Sequence, residues 1–416
     1  MIQFRVQNSK NAAFLELLVP NLLKLKYTTG HMVTRLLNID SNSKESVLLL
    51  GPRGTGKSYW IQQNLPNALV FNLLKTETYK EFVTNPSRIE NRIPPDFKDW
   101  VVIDEVQKIP ELLNEVHRLI ESKGYKFFLT GSSARKLKRD GANLLAGRAL
   151  EYHMHPLTYQ ELNKDFSLEK ALTLGLLPKV YNSENPKHYL ETYIGTYLQE
   201  EILQEGLVRN LGDFSRFLEV ASFSQGEILN ISEVAREAGI NQKTVSSYFE
   251  VVEDLLIGFR LPVFMKKAQR QLISHPKFYF FDVGVYRAIR PMGPLDAASE
   301  IDGHSLETLF LQHLLALNDY GRYGYKFYYW RTRNGLEVDI IAYGEKGFFA
   351  IELKRRRNLS GQDFRGLHAF GNDYPSAKLY LFYGGEMPEY HGNITALPFN
   401  DALKKLPEIL SGQDDA

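Results

Sequence analysis

A glycine-rich run that ends in a lysine and a hydroxyl is the segment of this chain best suited to chemistry. It fits the P-loop pattern G-x-x-x-x-G-K-[ST] at every fixed position and reads Gly51-Pro52-Arg53-Gly54-Thr55-Gly56-Lys57-Ser58. In such a loop the backbone N–H groups surround phosphate oxygens, and the positive end of the following helix favours the same anion. We expect Lys57 to reach the β- and γ-phosphates of ATP, and Ser58 to hold Mg²⁺.

Two acids follow an apolar run further along the chain. Residues 101–103 are Val-Val-Ile, which predicts a buried strand, and Asp104 and Glu105 stand at its carboxyl end. Ligands bind at that edge of an open parallel sheet. Asp104 is therefore predicted to position Mg²⁺. Glu105 is predicted to orient or deprotonate the attacking water, which would make the protein an NTP hydrolase.

The region after these acids supplies hydroxyls and an arginine. The third predicted strand covers residues 126–133, and its polar end would place Thr130 or Ser132 beside the γ-phosphate as a sensor. Ordinary turn chemistry is the alternative for both hydroxyls. Arg148 follows this strand and has three possible roles. It would reach the γ-phosphate of a neighbouring subunit as an arginine finger, reach that of its own subunit, or form a structural ion pair.

A second group of residues that could bind a metal ion and catalyse a reaction lies near the C-terminus. Glu337 and Asp339 alternate on one predicted strand, as do Glu352 and Lys354 on the next, so each pair shares a face. A hairpin would bring the two pairs together, and Glu307 on a preceding helical pattern would add another acid. Carboxylate oxygens suit Mg²⁺, and a metal-held water beside a lysine suits attack on a phosphodiester. A solvated polar face is the alternative.

Residues 230–249 predict a helix, a turn and a second helix. Gly239 suits the left-handed end of the first helix, and Asn241 suits the N-cap of the second. In a helix-turn-helix the outward face of the second helix enters the major groove of DNA. A spacer or a protein interface is the alternative use of such a pair. The predicted DNA contacts are Gln242, Lys243 and Ser246 on the second helix, and Lys266, Lys267 and Arg270 in a basic wing after it.

Length and composition limit the remaining possibilities. The chain has 416 residues, which is too long for one ordinary domain, and 44% hydrophobic with 24% charged residues is typical of a soluble globular protein. With a net charge of +1, any surface for nucleic acid must be a local patch. The absence of cysteine excludes disulfides and thiolate zinc sites. No run is as apolar and as long as a membrane helix, and no signal-peptide layout is present, so we expect a cytoplasmic protein.

From about residue 31 onward, the chain resembles bacterial and archaeal ATPases that join an AAA-type P-loop domain to a C-terminal DUF4143 domain. Besides the P-loop, the matching motifs are Ile103-Asp104-Glu105-Val106-Gln107, Leu129-Thr130-Gly131-Ser132-Ser133, Leu145-Ala146-Gly147-Arg148, His155-Pro156-Leu157, Phe281-Asp282-Val283-Gly284 and Glu337-Val338-Asp339 with Glu352-Leu353-Lys354.

This resemblance implies a fold, a chemistry and an assembly. The C-terminal domain resembles the PD-(D/E)XK nuclease fold, in which Glu307, Asp339 and Glu352 would bind metal and, with Lys354, cut DNA. The ATPase class implies homo-oligomeric rings, often hexameric, with Arg148 completing the nucleotide site of a neighbouring subunit. We therefore expect ATP and Mg²⁺ as cofactors and DNA, double-stranded or branched, as partner.

The expected fold class is α/β with several domains. The predicted units are a helical segment at 1–30, a P-loop AAA-type ATPase core with a parallel sheet at 31–155, a helical lid at 156–205, a winged-helix domain with its connector at 206–298, a restriction-endonuclease-like α/β domain at 299–400 and a tail at 401–416. Two functions fit this order. One is an ATP-driven DNA-processing protein with a nuclease-like domain. The other is a nucleotide-dependent switch or regulator that binds DNA or a protein partner without cutting.

Overall fold

The computed structural model describes residues 33–40, 43–133, 147–198, 202, 208, 210–266, 270–294 and 296–413. The predicted helical segment at 1–30, Lys267, and Leu145 with Ala146 of the arginine motif lie outside these residues. None of the helices within the described ranges is both long and apolar enough to cross a membrane.

The predicted parallel sheet is confirmed, and it has five strands. Its spatial order is β2-β3-β4-β1-β5, and every neighbouring pair is parallel. The strands are β1 Ser46–Leu50, β2 Leu69–Asn72, β3 Trp100–Asp104, β4 Lys126–Gly131 and β5 Ala149–His153. The helices between them are α1 Lys57–Asn64, α2 Thr76–Thr84, α3 Arg88–Arg92 and α4 Leu112–Lys123.

Helices cover both faces of this sheet because alternate strand residues point to opposite sides. Val101 and Ile103 of β3 belong to the same apolar cluster as the leucines of α4. Val102 belongs instead to the cluster that contains Trp60 of α1. This two-sided burial explains why the strands are continuous apolar runs rather than alternating ones. It also places the carboxyl ends of β1 and β3 at the same edge of the sheet, with β4 between them.

The described part of the region predicted as a helical lid, which we continue to call the lid, consists of short helices. They are α5 Tyr159–Leu162, α6 Leu168–Leu174, α7 Pro178–Tyr181 and α8 Pro186–Thr192, followed by a π-helical segment at Tyr193–Leu198. Prolines stand in the first turn of α7 and of α8, where a missing N–H costs nothing. Gly175, with φ of 73°, ends α6. These residues interrupt what the apolar spacing suggested as longer helices.

The middle region contains the predicted helix pair and a two-stranded antiparallel sheet. Its elements are α9 Leu211–Ser222, α10 Ile231–Ala238, α11 Gln242–Asp254, β6 Gly258–Leu261, β7 Lys277–Phe280 and α12 Val283–Ile289. Gly239 ends α10 in the left-handed conformation with φ of 67°. Asn241 caps α11 by accepting a hydrogen bond from Lys243 N at 2.9 Å. Both local predictions are confirmed, whereas α9 was not predicted.

Hydrogen bonds to the Asp282 side chain connect the lid to the middle region. Its Oδ2 accepts from Leu176 N at 2.7 Å, and its Oδ1 accepts from Val285 N at 3.1 Å at the start of α12. Burial raises the pKa of Asp282 to about 6, although these backbone N–H groups favour its ionised form. A side chain at Gly284 would lie 2.0 Å from Leu174 O, so the two segments can approach this closely only with glycine there. The predicted boundary at residue 205 therefore divides one packed unit.

The C-terminal region is a long helix followed by a six-stranded mixed sheet in the order β12-β13-β11-β10-β9-β8. Its elements are α13 Ala298–Gly321, β8 Lys326–Arg331, β9 Glu337–Gly344, β10 Gly347–Lys354, α14 Arg365–Asp373, β11 Lys378–Tyr383, β12 Glu389–His391, β13 Ile394–Pro398 and α15 Phe399–Ser411. The predicted hairpin is confirmed, with β9 and β10 antiparallel and Ile351 opposite Ile340.

The prediction of a tail at 401–416 is wrong for its described part. Residues 399–411 form α15, and its apolar face lies in the same cluster as Phe310 and Leu314 of α13. Apolar residues at 402, 403, 406, 409 and 410 have helical spacing, which is the sequence signal for this helix. The helix therefore belongs to the core of the C-terminal region.

Candidate nucleotide site and carboxylate cluster

The P-loop joins β1 to α1 at the carboxyl edge of the parallel sheet. Gly54 and Gly56 adopt φ values of 86° and 100°, which favour glycine. Gly56 is the N-cap of α1, and no side chain caps that helix end. The first N–H groups of the helix therefore point into the loop without a side-chain acceptor. This is the arrangement that binds a phosphate group.

Lys57 is held inside the loop. Its Nζ donates to Gly51 O at 2.6 Å and to Pro52 O at 3.2 Å, and the residue is buried. A charged ammonium surrounded by backbone carbonyls is ready to exchange them for phosphate oxygens, which are stronger acceptors. Ser58 follows at the first turn of α1, and its Oγ donates to Asp104 Oδ2 at 3.1 Å.

Asp104 sits in a network of polar side chains at the end of β3. Its Oδ1 accepts from Thr130 Oγ1 at 2.6 Å, and its Oδ2 accepts from Asn72 Nδ2 at 3.3 Å. Burial raises the pKa of Asp104, and neighbouring Glu105 adds to that rise. A buried carboxylate joined to a serine hydroxyl offers the oxygen ligands that Mg²⁺ prefers, so Ser58 and Asp104 fit that ion. Asn72 was not identified from the sequence.

Glu105 is the adjacent acid and has a left-handed backbone with φ of 64°. Its Oε2 accepts from Gln107 Nε2 at 2.6 Å and from Ser132 Oγ at 3.0 Å. Burial acts to raise the pKa of Glu105, but the Lys57 ammonium and these hydrogen bonds outweigh burial and lower it. Glu105 is therefore ionised near neutral pH, as a proton acceptor must be. The predicted sensors Thr130 and Ser132 contact the two carboxylates.

Arg148 lies at the other edge of the sheet. Its Nε forms an ion pair with Glu121 Oε1 of α4 at 2.8 Å, which is the structural alternative for this residue. Arg148 precedes Ala149, which pairs with Ser46 at the start of β1, whereas the P-loop follows the end of that strand. Four strand residues separate the two edges by about 13 Å. The interpretation that Arg148 reaches its own γ-phosphate is therefore wrong, and only contact with another subunit stays a prediction.

The lid touches the P-loop directly. Tyr193 Oη donates to Arg53 O at 2.9 Å. A side chain at Gly54 would lie 3.5 Å from the Tyr193 ring and 3.8 Å from Leu177, so both lid residues pack on the loop. Leu177 and Tyr193 therefore connect the lid to the P-loop.

Arg35 joins the nucleotide site to two other regions. Its Nη1 donates to Thr55 O of the P-loop at 2.5 Å, and its Nε pairs with Glu161 Oε1 of α5 at 2.8 Å. Its Nη2 donates to Tyr320 Oη of α13 at 2.9 Å and to His155 O at 2.6 Å. The sequence offered no signal for this role, because Arg35 is a lone arginine before β1.

Four acids converge between α13 and the β9–β10 hairpin, and we name Glu307, Glu337, Asp339 and Glu352 the carboxylate cluster. Asp339 Oδ2 accepts from Leu353 N at 2.8 Å, and Glu352 Oε1 accepts from Lys354 Nζ at 2.5 Å. Glu352 Oε2 is buried and has no hydrogen-bond partner among the described residues. The structure thus brings together the residues that the sequence predicted for this centre.

Lys277 and Tyr279 of β7 complete the cluster and were not predicted. Lys277 Nζ lies 2.5 Å from Glu337 Oε1 and 3.7 Å from Glu307 Oε2. Tyr279 Oη donates to Glu307 Oε2 at 2.8 Å. Both residues alternate with phenylalanines in a short strand, so the sequence indicated only an ordinary strand there.

Burial dominates the electrostatics of the cluster. It raises the pKa of Asp339 to about 6 and raises the pKa values of Glu307 and Glu352 as well. Within the described ranges, no set of three or more histidine, aspartate or glutamate side chains is arranged to hold a metal ion. The orphaned Oε2 of Glu352, beside Asp339, is the feature that fits a divalent cation.

The residues predicted to bind DNA fall into two places. Gln242 and Lys243 are exposed at the start of α11, and Ser246 is half-buried one turn later. Lys266 Nζ lies 4.0 Å from the centroid of the Tyr343 ring on β9, and Arg270 Nε pairs with Asp373 of α14 at 2.6 Å.

The described parts of the connection between β6 and β7, residues 262–266 and 270–276, therefore contact the C-terminal region. Two isolated bridges, Val263 with Tyr329 and Leu272 with Thr332, hold it along β8 and its end. Lys266 and Arg270 are exposed while they make these contacts with the C-terminal region, and their contact with DNA in a basic wing stays a prediction.

Three family models match consecutive parts of the chain. Residues 43–163 match a family described as an AAA domain. Residues 165–296 and 302–402 match two domains of unknown function, DUF8612 and DUF4143.

Relatives and solved structures share low sequence identity with this chain. An uncharacterized protein of Mycobacterium tuberculosis is 26% identical over 69% of this chain, and the match spans 65% of that relative. An uncharacterized protein of Methanocaldococcus jannaschii is 23% identical over 81% of this chain and 80% of its own length.

Among solved structures, the Aeropyrum pernix ORC1 protein in complex with DNA is 12% identical. It aligns over 68% of this chain and 92% of that protein, with a TM-score of 0.30. A score of that size carries no inference about this chain. The family models, together with the arrangement of Lys57, Asp104 and Glu105, support a P-loop AAA-type ATPase over residues 43–163, with a DUF4143 domain at 302–402.

Proposed function

We propose that this protein is an ATP-hydrolysing switch whose nucleotide state controls DNA binding by the helix pair α10–α11. The observation that carries the proposal is a continuous path of packing from the P-loop to that pair. The lid residues Leu177 and Tyr193, which contact the loop, belong to the same hydrophobic cluster as Val245 and Tyr248 of α11. The nucleotide site and the helix pair are thereby mechanically joined.

The chemistry of the site follows from its charges. Lys57 would leave its loop carbonyls to neutralise phosphate charge. Mg²⁺ held by Ser58 and Asp104 would supply further positive charge to the phosphates. Glu105, ionised and held by Gln107 and Ser132, would accept a proton from the attacking water.

The path from lid to helix pair has three packed steps. Helix α8 packs on α12, α12 packs on α9, and α9 packs on α11. Aromatic side chains fill the last step, where the rings of Phe214 and Tyr248 lie 5.0 Å apart. Close-packed interiors transmit displacement rather than absorb it. A lid that shifts when ATP replaces the carbonyl contacts of Lys57 would therefore reorient α11.

The order of elements around the helix pair supports a DNA-binding winged helix. Helix α11 follows the turn at Gly239 and is followed by the antiparallel pair β6–β7. Its buried stripe contains Val245 and Tyr248, which leaves Lys243 exposed on the opposite side, and Gln242 is exposed at the first position of the helix. Side chains at the start of such a helix are those that meet bases and phosphates.

Lys243→Ala is expected to weaken duplex DNA binding about equally across sequences and to lower the slope of log affinity against log salt by about 1, because one phosphate contact is lost. Fluorescence anisotropy at several salt concentrations measures both quantities. Lys404→Ala, which removes an exposed lysine from α15, is the matched control and should leave affinity and slope unchanged. Equal salt slopes for Lys243→Ala and the wild type would contradict DNA contact at α11.

Metal-dependent DNA cleavage at the carboxylate cluster is a second candidate function. The buried, unpartnered Oε2 of Glu352 favours it, since an orphaned carboxylate oxygen is costly unless a cation or hydrogen bond completes it. Asp339 and Glu352 would hold Mg²⁺, and Lys354 would stabilise charge on the phosphate or orient the water.

Asp339→Ala is expected to abolish nicking of plasmid DNA in Mg²⁺ or Mn²⁺ while DNA binding persists, because the affinity comes from other residues. The assay compares linear, circular, single-stranded and branched DNA with and without ATP. Glu345→Ala, an exposed residue in the turn of the same hairpin, should cut like the wild type. Wild-type activity no higher than that of Asp339→Ala would exclude cleavage and leave the switch without a nuclease.

Assembly into a homo-oligomer stays a prediction. Arg148, paired with Glu121 at the edge of the sheet away from the P-loop, would have to exchange that ion pair for a phosphate of a neighbouring subunit. We propose a ring as the assembly that would allow this exchange, with ATP and Mg²⁺ at each interface.

A further inference from the structure

The carboxylate cluster contains the ammonium group of a lysine that belongs to the middle region rather than to the C-terminal region. Lys277 lies on β7, just after the helix pair and before α12, and only 4% of its side chain is exposed. Its Nζ is 2.5 Å from Glu337 Oε1, 3.7 Å from Glu307 Oε2 and 5.5 Å from the centroid of the Tyr329 ring. A buried lysine so placed is held by opposite charges on two different elements.

The backbone around the Lys277 ammonium is closely packed. A side chain at Gly226, whose φ is 70°, would lie 2.6 Å from His304 Nδ1 and 3.3 Å from Glu307 Oε2. The backbone at Gly226 therefore closes the cluster on the side of α13. On the other side, Lys277 pairs with Leu261 of β6, which fixes its strand. The ammonium is thus placed by the middle region and enclosed by α13 and β9.

The cluster is divided into two halves by its partners. In the first half, Glu307 is bound by Lys277 and Tyr279, and Glu337 by Lys277 and by Arg331 Nη1 at 3.0 Å. In the second half, Asp339 accepts one backbone N–H from Leu353.

Glu352 completes the second half. It is 6% exposed, receives the Lys354 ammonium on Oε1 and has no partner on Oε2. The carboxylates of the first half are therefore paired with positive side chains, whereas Glu352 Oε2 in the second half lacks a hydrogen-bond donor.

We propose that the Lys277 ammonium is a built-in cation of the carboxylate cluster, which occupies the Glu307–Glu337 half and limits the cluster to one divalent cation, at Asp339 and Glu352. The ammonium places one positive charge where a second metal ion would otherwise sit between two carboxylates. The claim that one divalent cation binds at Asp339 and Glu352 rests on the second candidate function. The claim that Lys277 occupies the other half does not. Lys277 is a positioning residue, because it acts through the carboxylates.

The test counts Mn²⁺ ions bound to nucleotide-free, full-length protein by electron paramagnetic resonance of the free ion. Lys277→Met keeps the length of the side chain and removes its charge. We expect it to bind one more Mn²⁺ per chain than the wild type does. Lys277→Arg keeps the charge and should match the wild type, as should Lys346→Met in the exposed β9–β10 turn. The nucleotide site contributes equally to every variant and cancels in the comparison.

Thermal unfolding supplies a second readout. Lys277→Met leaves Glu307 and Glu337 without their ammonium, so it should melt several degrees lower in chelator and recover more on addition of Mn²⁺ than the wild type does. If the variant fails to fold in chelator, Mn²⁺ should restore folding.

A Lys277→Met variant that binds no additional ion, or whose stability Mn²⁺ does not restore, overturns the proposal. A wild type that binds no Mn²⁺ at the cluster, with one ion gained in Lys277→Met, upholds the role of Lys277 and contradicts metal-dependent cleavage instead.

Discussion

Glu105→Gln is expected to lower ATP turnover by at least about 100-fold while leaving nucleotide binding nearly intact. Glu105 is ionised because Lys57 and its hydrogen bonds offset burial, so it can accept the proton of the attacking water. Glutamine keeps the size and can still hydrogen-bond Gln107 and Ser132, but it cannot take up that proton. Phosphate release under saturating ATP gives the turnover, and equilibrium binding of a fluorescent nucleotide gives the affinity.

Lys57→Ala is the contrasting variant and should lose nucleotide binding itself. Its ammonium neutralises phosphate charge in the bound state, before any chemistry occurs. The pair of variants therefore separates binding from hydrolysis. A Glu105→Gln protein that turns over at the wild-type rate would show that another group activates the water.

Arg35→Met is expected to destabilise the protein by about 3–5 kcal/mol, the cost of breaking a buried ion pair. The side chain of Glu161 is fully buried, and that of Arg35 is 5% exposed, so the substitution leaves a carboxylate without its counter-charge. The same change removes the hydrogen bonds that Arg35 donates to Thr55 O in the P-loop and to Tyr320 Oη on α13. Urea unfolding followed by circular dichroism measures the loss.

Arg118→Met is the matched control, because Arg118 also pairs with two acids, Glu90 and Glu115, but at the surface. Exposed pairs contribute about 0–1 kcal/mol, so this variant should unfold almost like the wild type. Adding Glu161→Gln to Arg35→Met should recover part of the loss, since the unpaired charge is then removed. Equal stability of Arg35→Met and Arg118→Met would show that the buried pair is dispensable.

Local motifs are what the sequence predicts best in this protein. The P-loop follows β1, and Asp104 and Glu105 stand at the end of β3, so the shared carboxyl edge of one parallel sheet brings them together and their placement follows from the strand pattern alone. Asn72 and Arg35 reach the same site from segments with no motif, and Arg35 meets Tyr320 across 285 residues. Contacts of that separation depend on the packing of whole regions, which no local pattern encodes.

The carboxylate cluster also has one part that local sequence patterns predict and one part that depends on the packing of distant segments. The pleat of a strand and the hairpin turn suffice to bring Asp339 to Glu352 and Lys354, so this part was predictable. Lys277 enters from the middle region, where one lysine followed by three aromatic residues indicates only an ordinary strand. Its burial becomes apparent only when β7 is placed against α13 and β9.

The most direct test of the central claim is the DNA affinity of the Glu105→Gln protein with and without saturating ATP, measured by fluorescence anisotropy with one duplex at fixed salt. Coupling between two sites commonly changes affinity by about 5–150-fold. We predict a change of at least about fivefold between the two nucleotide states. We also predict a smaller change when Tyr193→Phe removes the hydrogen bond to Arg53 O. Equal affinities with and without ATP would contradict nucleotide control of DNA binding.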